Sequence, residues 1–169
     1  MLKTFLSNLL LVVFATSLHY SQSKNIDEFF TMVDANKTEG EVISYLKETK
    51  KWVVNIQAET KEGKKLKFNS VTILGIKADS LILLCNNQKQ LGGYSIFFSY
   101  NTPEEKNVIT KKVTECLDEL TRNRHQLKDT ILSWGQVMNA KENAYAIFQF
   151  NPSHKSNVAR IDYYKLSNN

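Results

Sequence analysis

Between Trp52 and Tyr100 the chain carries apolar residues in extended runs parted by turns too short to hold a helix, and this stretch limits its fold more than any other. Trp52, Val54, Ile56 and Ala58 alternate with Val53, Asn55, Gln57 and Glu59, the two-residue period of a half-buried strand. Lys61-Glu62-Gly63-Lys64 reads as a turn. Leu66, Phe68 and Val71 to Ile76 continue in extended fashion, and Lys77-Ala78-Asp79-Ser80 turns into the run Leu81 to Cys85. A polar loop, Asn86 to Gly93, precedes Tyr94 to Tyr100, where Ile96 and Phe98 alternate with Ser95, Phe97 and Ser99. Parallel strands need a crossover of about a dozen residues or more. Connections this short demand an antiparallel meander.

The sheet-forming stretch ends at Thr102-Pro103-Glu104-Glu105, a strong helix start. Thr102 suits the N-cap, Pro103 the first helical position, and Glu105 the closing residue of a capping box. Ile109, Val113, Cys116, Leu117 and Leu120 then form one apolar stripe, while Lys106, Lys111, Lys112, Glu115, Asp118 and Glu119 read as the wet face. Arg122, Arg124 and His125 suit the negative C-terminal end. Two shorter helices precede the sheet. Ile26, Phe29, Phe30 and Val33 make an i, i+3, i+4, i+7 stripe, and Thr38 with Glu41 makes a capping box before Val42, Ile43 and Leu46. Beyond the long helix, Thr130 to Met138 fits either a short helix or a strand, whereas Tyr145 to Phe150 and Ala159 to Lys165 read as strands. The pattern as a whole implies one α+β domain. In it an antiparallel meander sheet packs against a long amphipathic helix, with two short N-terminal helices.

The first residues follow a different logic. Lys3 precedes an apolar run from Phe5 to Phe14, then small and polar residues through Ser23, the layout of a secretory signal peptide. The run is shorter than the ~20 apolar residues that span a bilayer. The junction Tyr20-Ser21-Gln22 resembles the leader junctions of exported bacterial proteins, which places the signal peptide at 1–21 and the domain at 22–169. No cysteine stands near the junction to carry a lipid, the first being Cys85. The expectation is export to the periplasm or beyond, with no membrane span in the mature chain. Losing Lys3 lowers the formal charge from +5 to +4, short of the clustered basic footprint of a nucleic-acid binder.

Cys85 and Cys116 are the only cysteines. In an oxidising compartment they could form a disulfide. Cys85 ends an apolar run and Cys116 lies on the helix stripe, which favours two buried thiols instead.

A search for chemistry assigns no catalytic, cofactor-binding or metal residue. His125 and His154 are far apart and belong to no metal-ligand spacing. The loop Asn86 to Gly93 has glycines, but Tyr94 and a strand follow where a phosphate loop needs Lys-Ser/Thr and a helix. No G-x-S-x-G elbow occurs, and a set drawn from Ser153, His154 and Asp162 rests on sequence proximity alone. One cationic concentration stands out. Lys61, Lys64, Lys65 and Lys67, with Phe68 beside them, could contact an acidic polymer, although Glu59 and Glu62 dilute the charge. The reading that follows is a small exported domain that binds a protein or an envelope component without catalysis. The alternative is a secreted hydrolase whose site is dispersed through the chain.

Overall fold

A computed structural model describes residues 26–34, 37–121, 125–128, 131–134, 144–150 and 157–165. The leader, Arg122, Arg124, Ser153, His154 and most of the stretch from Thr130 to Met138 lie outside these residues.

Two short helices come first, α1 (Glu28–Met32) and α2 (Glu39–Ser44), the second running on into one wider π-helical turn at Tyr45–Thr49. Thr38 and Glu41 form the reciprocal capping box that their spacing implies. Four strands follow: β1 (Val54–Thr60), β2 (Gly63–Ile73), β3 (Ile76–Asn86) and β4 (Leu91–Ser99). Helix α3 (Pro103–Thr121) leads to β5 (Gln126–Lys128), β6 (Ile131–Trp134), β7 (Ala144–Phe150) and β8 (Val158–Lys165). All eight strands belong to one sheet, in the order β1-β2-β3-β4-β8-β7-β6-β5. Every neighbouring pair is antiparallel. The sheet is thus two four-stranded meanders running in from opposite edges and meeting at β4 and β8.

One face of the sheet carries the core. Leu66, Phe68, Leu81, Leu83, Ile96, Phe98 and Ile161 are buried in a single cluster with Ile109, Val113, Cys116 and Leu117 of α3 and with Phe29, Val33, Val42 and Leu46 of the N-terminal helices. Aromatic rings order part of it. Tyr94 stacks on Tyr163 with centroids 4.9 Å apart and meets the edge of Phe29 at 5.3 Å.

Several local expectations are corrected. The turn between β2 and β3 falls at Leu74 and Gly75, with φ of 58° and 65°, whereas Lys77 to Ser80 are strand residues pairing with β2. Two consecutive positive φ values match the tight two-residue hairpin turn whose twist suits the strands. Leucine is an unusual residue there, which hides the turn from a composition reading. Its peptide is held from both sides: Asp27 Oδ2 accepts the Leu74 N–H at 2.5 Å, and Lys112 Nζ donates to the Leu74 carbonyl at 2.9 Å. Lys112 is therefore not simply solvated. Strand β1 is not half-buried either, since every residue from Asn55 to Thr60 is exposed, because this edge strand overhangs the core. Strand β4 begins at Leu91 rather than Tyr94, and β5 carries no pattern that the sequence reading detected. At the start of α3, Thr102 Oγ1 accepts from the Glu105 N–H at 3.2 Å. The Glu105 carboxylate reaches one residue further back than a capping box implies, accepting from the Asn101 N–H at 2.6 Å.

Candidate functional site

The four lysines of the β1–β2 hairpin do not share a surface. Alternation along a strand sends neighbours to opposite faces, so Lys64 goes to the face that Leu66 and Phe68 bury, and Lys65 and Lys67 go to the outer face. Lys64 pairs with Glu39 at 2.5 Å, and that bond raises the lysine's pKa. Glu59, opposite Lys64 in the register, lies on the same side. Lys61 sits in the turn, where its carbonyl accepts from Asn87 Nδ2 at 3.4 Å.

This partition takes Glu59 off the outer face, whereas Glu62 stays at the hairpin end. On the outer face, Lys65 pairs across the sheet with Ala58 and Leu84, and Lys67 with Ile56 and Ile82. Lys65 and Lys67 form no ion pair among the described residues. The result is two cations set in an apolar frame, with Ile56 53% and Leu84 37% exposed. Phe68, beside them in sequence, is fully buried in the core and takes no part. At one end of this face a shallow cleft of about 390 Å³ opens between Thr60, Glu62, Lys64, Leu84, Asn86 and Gly92.

The loop between β3 and β4 is a fixed turn. Asn86 Oδ1 accepts from the N–H groups of Gln88 and Gln90 at 3.0 and 2.9 Å. The backbone of α2's start docks on it through Glu39 N–H to the Lys89 carbonyl, at 2.8 Å, and Leu91 N–H to the Lys37 carbonyl, at 3.0 Å. Strand β4 follows the loop instead of a helix, and the N–H that α2's first residue turns to it is taken by the Lys89 carbonyl.

Further along the outer face lies Asp162, 2% exposed. Its carboxylate accepts from Ser95 Oγ at 2.6 Å and from Arg160 Nε at 2.6 Å. The guanidinium also lies over the Phe97 ring, 5.9 Å from its centroid. The charge-assisted bond from Ser95 ties β4 to β8, and together with the Arg160 bond within β8 it occupies the carboxylate that the Ser153–His154–Asp162 grouping would require.

A second polar knot closes α3. Asp118 Oδ1 accepts from Trp134 Nε1 at 2.7 Å, from the His125 N–H at 3.0 Å, and faces His125 Nδ1 at 3.1 Å. Asp118 thereby anchors the chain that leaves the helix, instead of standing in water, and Trp134 is fully buried beside it. Glu119 also departs from the wet-face reading, its Oε2 being buried with no hydrogen-bond partner among the described residues.

Cys85 and Cys116 are both buried free thiols. Burial pushes the pKa of each up to about 11, which keeps them protonated and poor nucleophiles near neutrality. Among the described residues no group of three or more His, Cys, Asp or Glu is placed to hold a metal ion, and no helix is long and apolar enough to cross a membrane. No protein family, curated protein or solved structure matches the chain.

Proposed function

We propose that the protein is exported by its leader, cleaved after Ser21, and acts in the periplasm or outside the cell by binding an acidic envelope component or partner without chemical conversion. The observation that carries this reading is the outer-face patch, where Lys65 and Lys67 form no ion pair among the described residues and are framed by Ile56, Ala58, Ile82 and Leu84. Lys65 is exposed and Lys67 half-buried; cations in an apolar frame attract anions while the frame adds contact area, and lysines outside ion pairs need no partner displaced before binding.

The test is retention of the mature chain on immobilised poly-glutamate and dextran sulfate across a salt gradient. A Lys65→Glu/Lys67→Glu variant is expected to lose retention at low salt, while Lys61→Glu/Lys77→Glu, with the same charge change elsewhere, keeps most of it. Equal retention of both variants would sink the outer-face assignment. The hydrolase alternative draws on one observation, the Asp118 carboxylate against His125 Nδ1, which is how a general base is oriented. Covalent labelling of a serine by a fluorophosphonate probe, abolished by His125→Gln, would favour that alternative over binding alone.

A further inference from the structure

Among the described residues, strand β1 ends the sheet and pairs only with β2. The opposite edge, β5, has three residues, a length that gives an incoming strand little to grip. Edges are otherwise protected by lysine, proline or a bulge. Strand β1 contains neither residue type, and its register shift lies at its start, between Val54 and Ile56. There Asn55 Oδ1 accepts the Asn69 N–H at 2.6 Å. From Ile56 to Thr60 the strand is regular and exposed. It presents a row of outward N–H and C=O groups that only another extended strand can satisfy in register.

The chemistry of this edge selects its own partner. An antiparallel copy with Gln57 on the twofold axis places Gln57 against Gln57 of the second copy, Ile56 against its Ala58, and Asn55 against its Glu59. Glu59 is the only charged residue of β1, and in this register it meets an amide rather than another carboxylate. Ile56 and Ala58, which share the outer face with Lys67 and Lys65, join across the axis into one apolar strip. The lysines of β2 in the two copies stand three strand spacings apart, about 14 Å. That exceeds the Debye length of about 8 Å at physiological salt, so their repulsion is screened. We infer that two copies of this chain associate edge to edge through β1, forming one continuous sheet across a twofold axis. The inference does not rest on the acidic-partner reading: Ile56 and Lys65 belong to both surfaces, but self-cross-linking at Gln57, which lies on the other face, reports on the β1 edge alone.

Sedimentation velocity of the mature chain, from low to high micromolar concentration, is expected to show reversible conversion from monomer to dimer. Ile56→Lys, a charge on the joining strip, should leave only monomer with an unchanged far-UV spectrum. Gln57→Cys should cross-link to itself under mild oxidation, since directly opposed strand residues lie within the Cα separation a disulfide needs. Lys65→Cys should not. The native thiols are buried and do not compete. A wild type that stays monomeric throughout, a dimer that survives Ile56→Lys, or a Gln57→Cys protein that cross-links no faster than Lys65→Cys would each overturn the inference.

Discussion

The peptide of Leu74 is held in a left-handed conformation by two side chains from different parts of the chain, and Asp27 is the more exposed to test. Its Oδ1 accepts the Phe29 N–H at 2.9 Å, capping α1, and its Oδ2 accepts the Leu74 N–H at 2.5 Å. Asp27→Ala removes a cap that is typically worth about 1 kcal/mol. It also leaves a part-buried N–H unmet, at roughly 1–2 kcal/mol. The sum is about 2–3 kcal/mol. With a urea m-value near 2 kcal/mol/M, the unfolding midpoint should fall by about 1–1.5 M. Asp27→Asn keeps one acceptor oxygen and turns an NH2 toward the other donor, so it should recover about half of the loss. Lys112→Met removes the hold on the other side of the same peptide. A double-mutant cycle between Asp27 and Lys112 should therefore show coupling of about 0.5 kcal/mol or more. Midpoints for Asp27→Ala and Asp27→Asn that match wild type would refute the claim that this contact locks the β2–β3 turn to α1.

Gly63→Ala should destabilise by about 3 kcal/mol or prevent folding, because a Cβ there comes within 2.0 Å of the Cys85 carbonyl oxygen at a φ of 142°; a wild-type melting temperature would contradict it. Thr102→Ala should cost about 1 kcal/mol through the lost cap, and Leu117→Asp should abolish cooperative unfolding by burying an unpaired charge, both read by urea titration. Each thiol has a folded pKa of about 11 against an ordinary 9.0. The protonated form is favoured in the fold, so stability is complete below pH 9 and drains as pH rises toward 11, by about 2 kcal/mol per thiol. A Cys85→Ala/Cys116→Ala variant should show a shallower loss over that window. Thiol labelling without reductant should add two labels after denaturation and none before; labels appearing only after reduction would establish a disulfide instead. Intact mass of protein recovered outside the cytoplasm should begin at Gln22.

Much of this architecture was legible in the sequence because its signals are local. The capping residues Thr38 and Thr102, the apolar stripe of α3 and the short links between β1 and β4 each act within a few residues, and an antiparallel arrangement follows from link length alone. What escaped depends on tertiary partners. The Leu74–Gly75 turn lacks ordinary turn residues and is held by Asp27 and Lys112. Asp118 looked solvated because the donors it meets, His125 and Trp134, come from beyond the helix. Alternation along β2 placed Lys65 and Lys67 on one face and Lys64 on the other, a separation already present in the spacing. The unpaired state of the outer pair required the register to show where Glu59 and Glu39 go.

Strand order also determines when this molecule can become whole. Among the described strands, the one latest in sequence, β8, is central: it joins β4 on one side and β7 on the other. Until residues 158–165 arrive, the two meanders have no common seam, and β4 remains an open edge next to the buried Tyr94 ring. Pairing β4 with so distant a strand favours slow, concerted assembly over stepwise folding from the N-terminus. Both half-sheets stay incomplete until β8 is available, and this strand then serves as the zip between them.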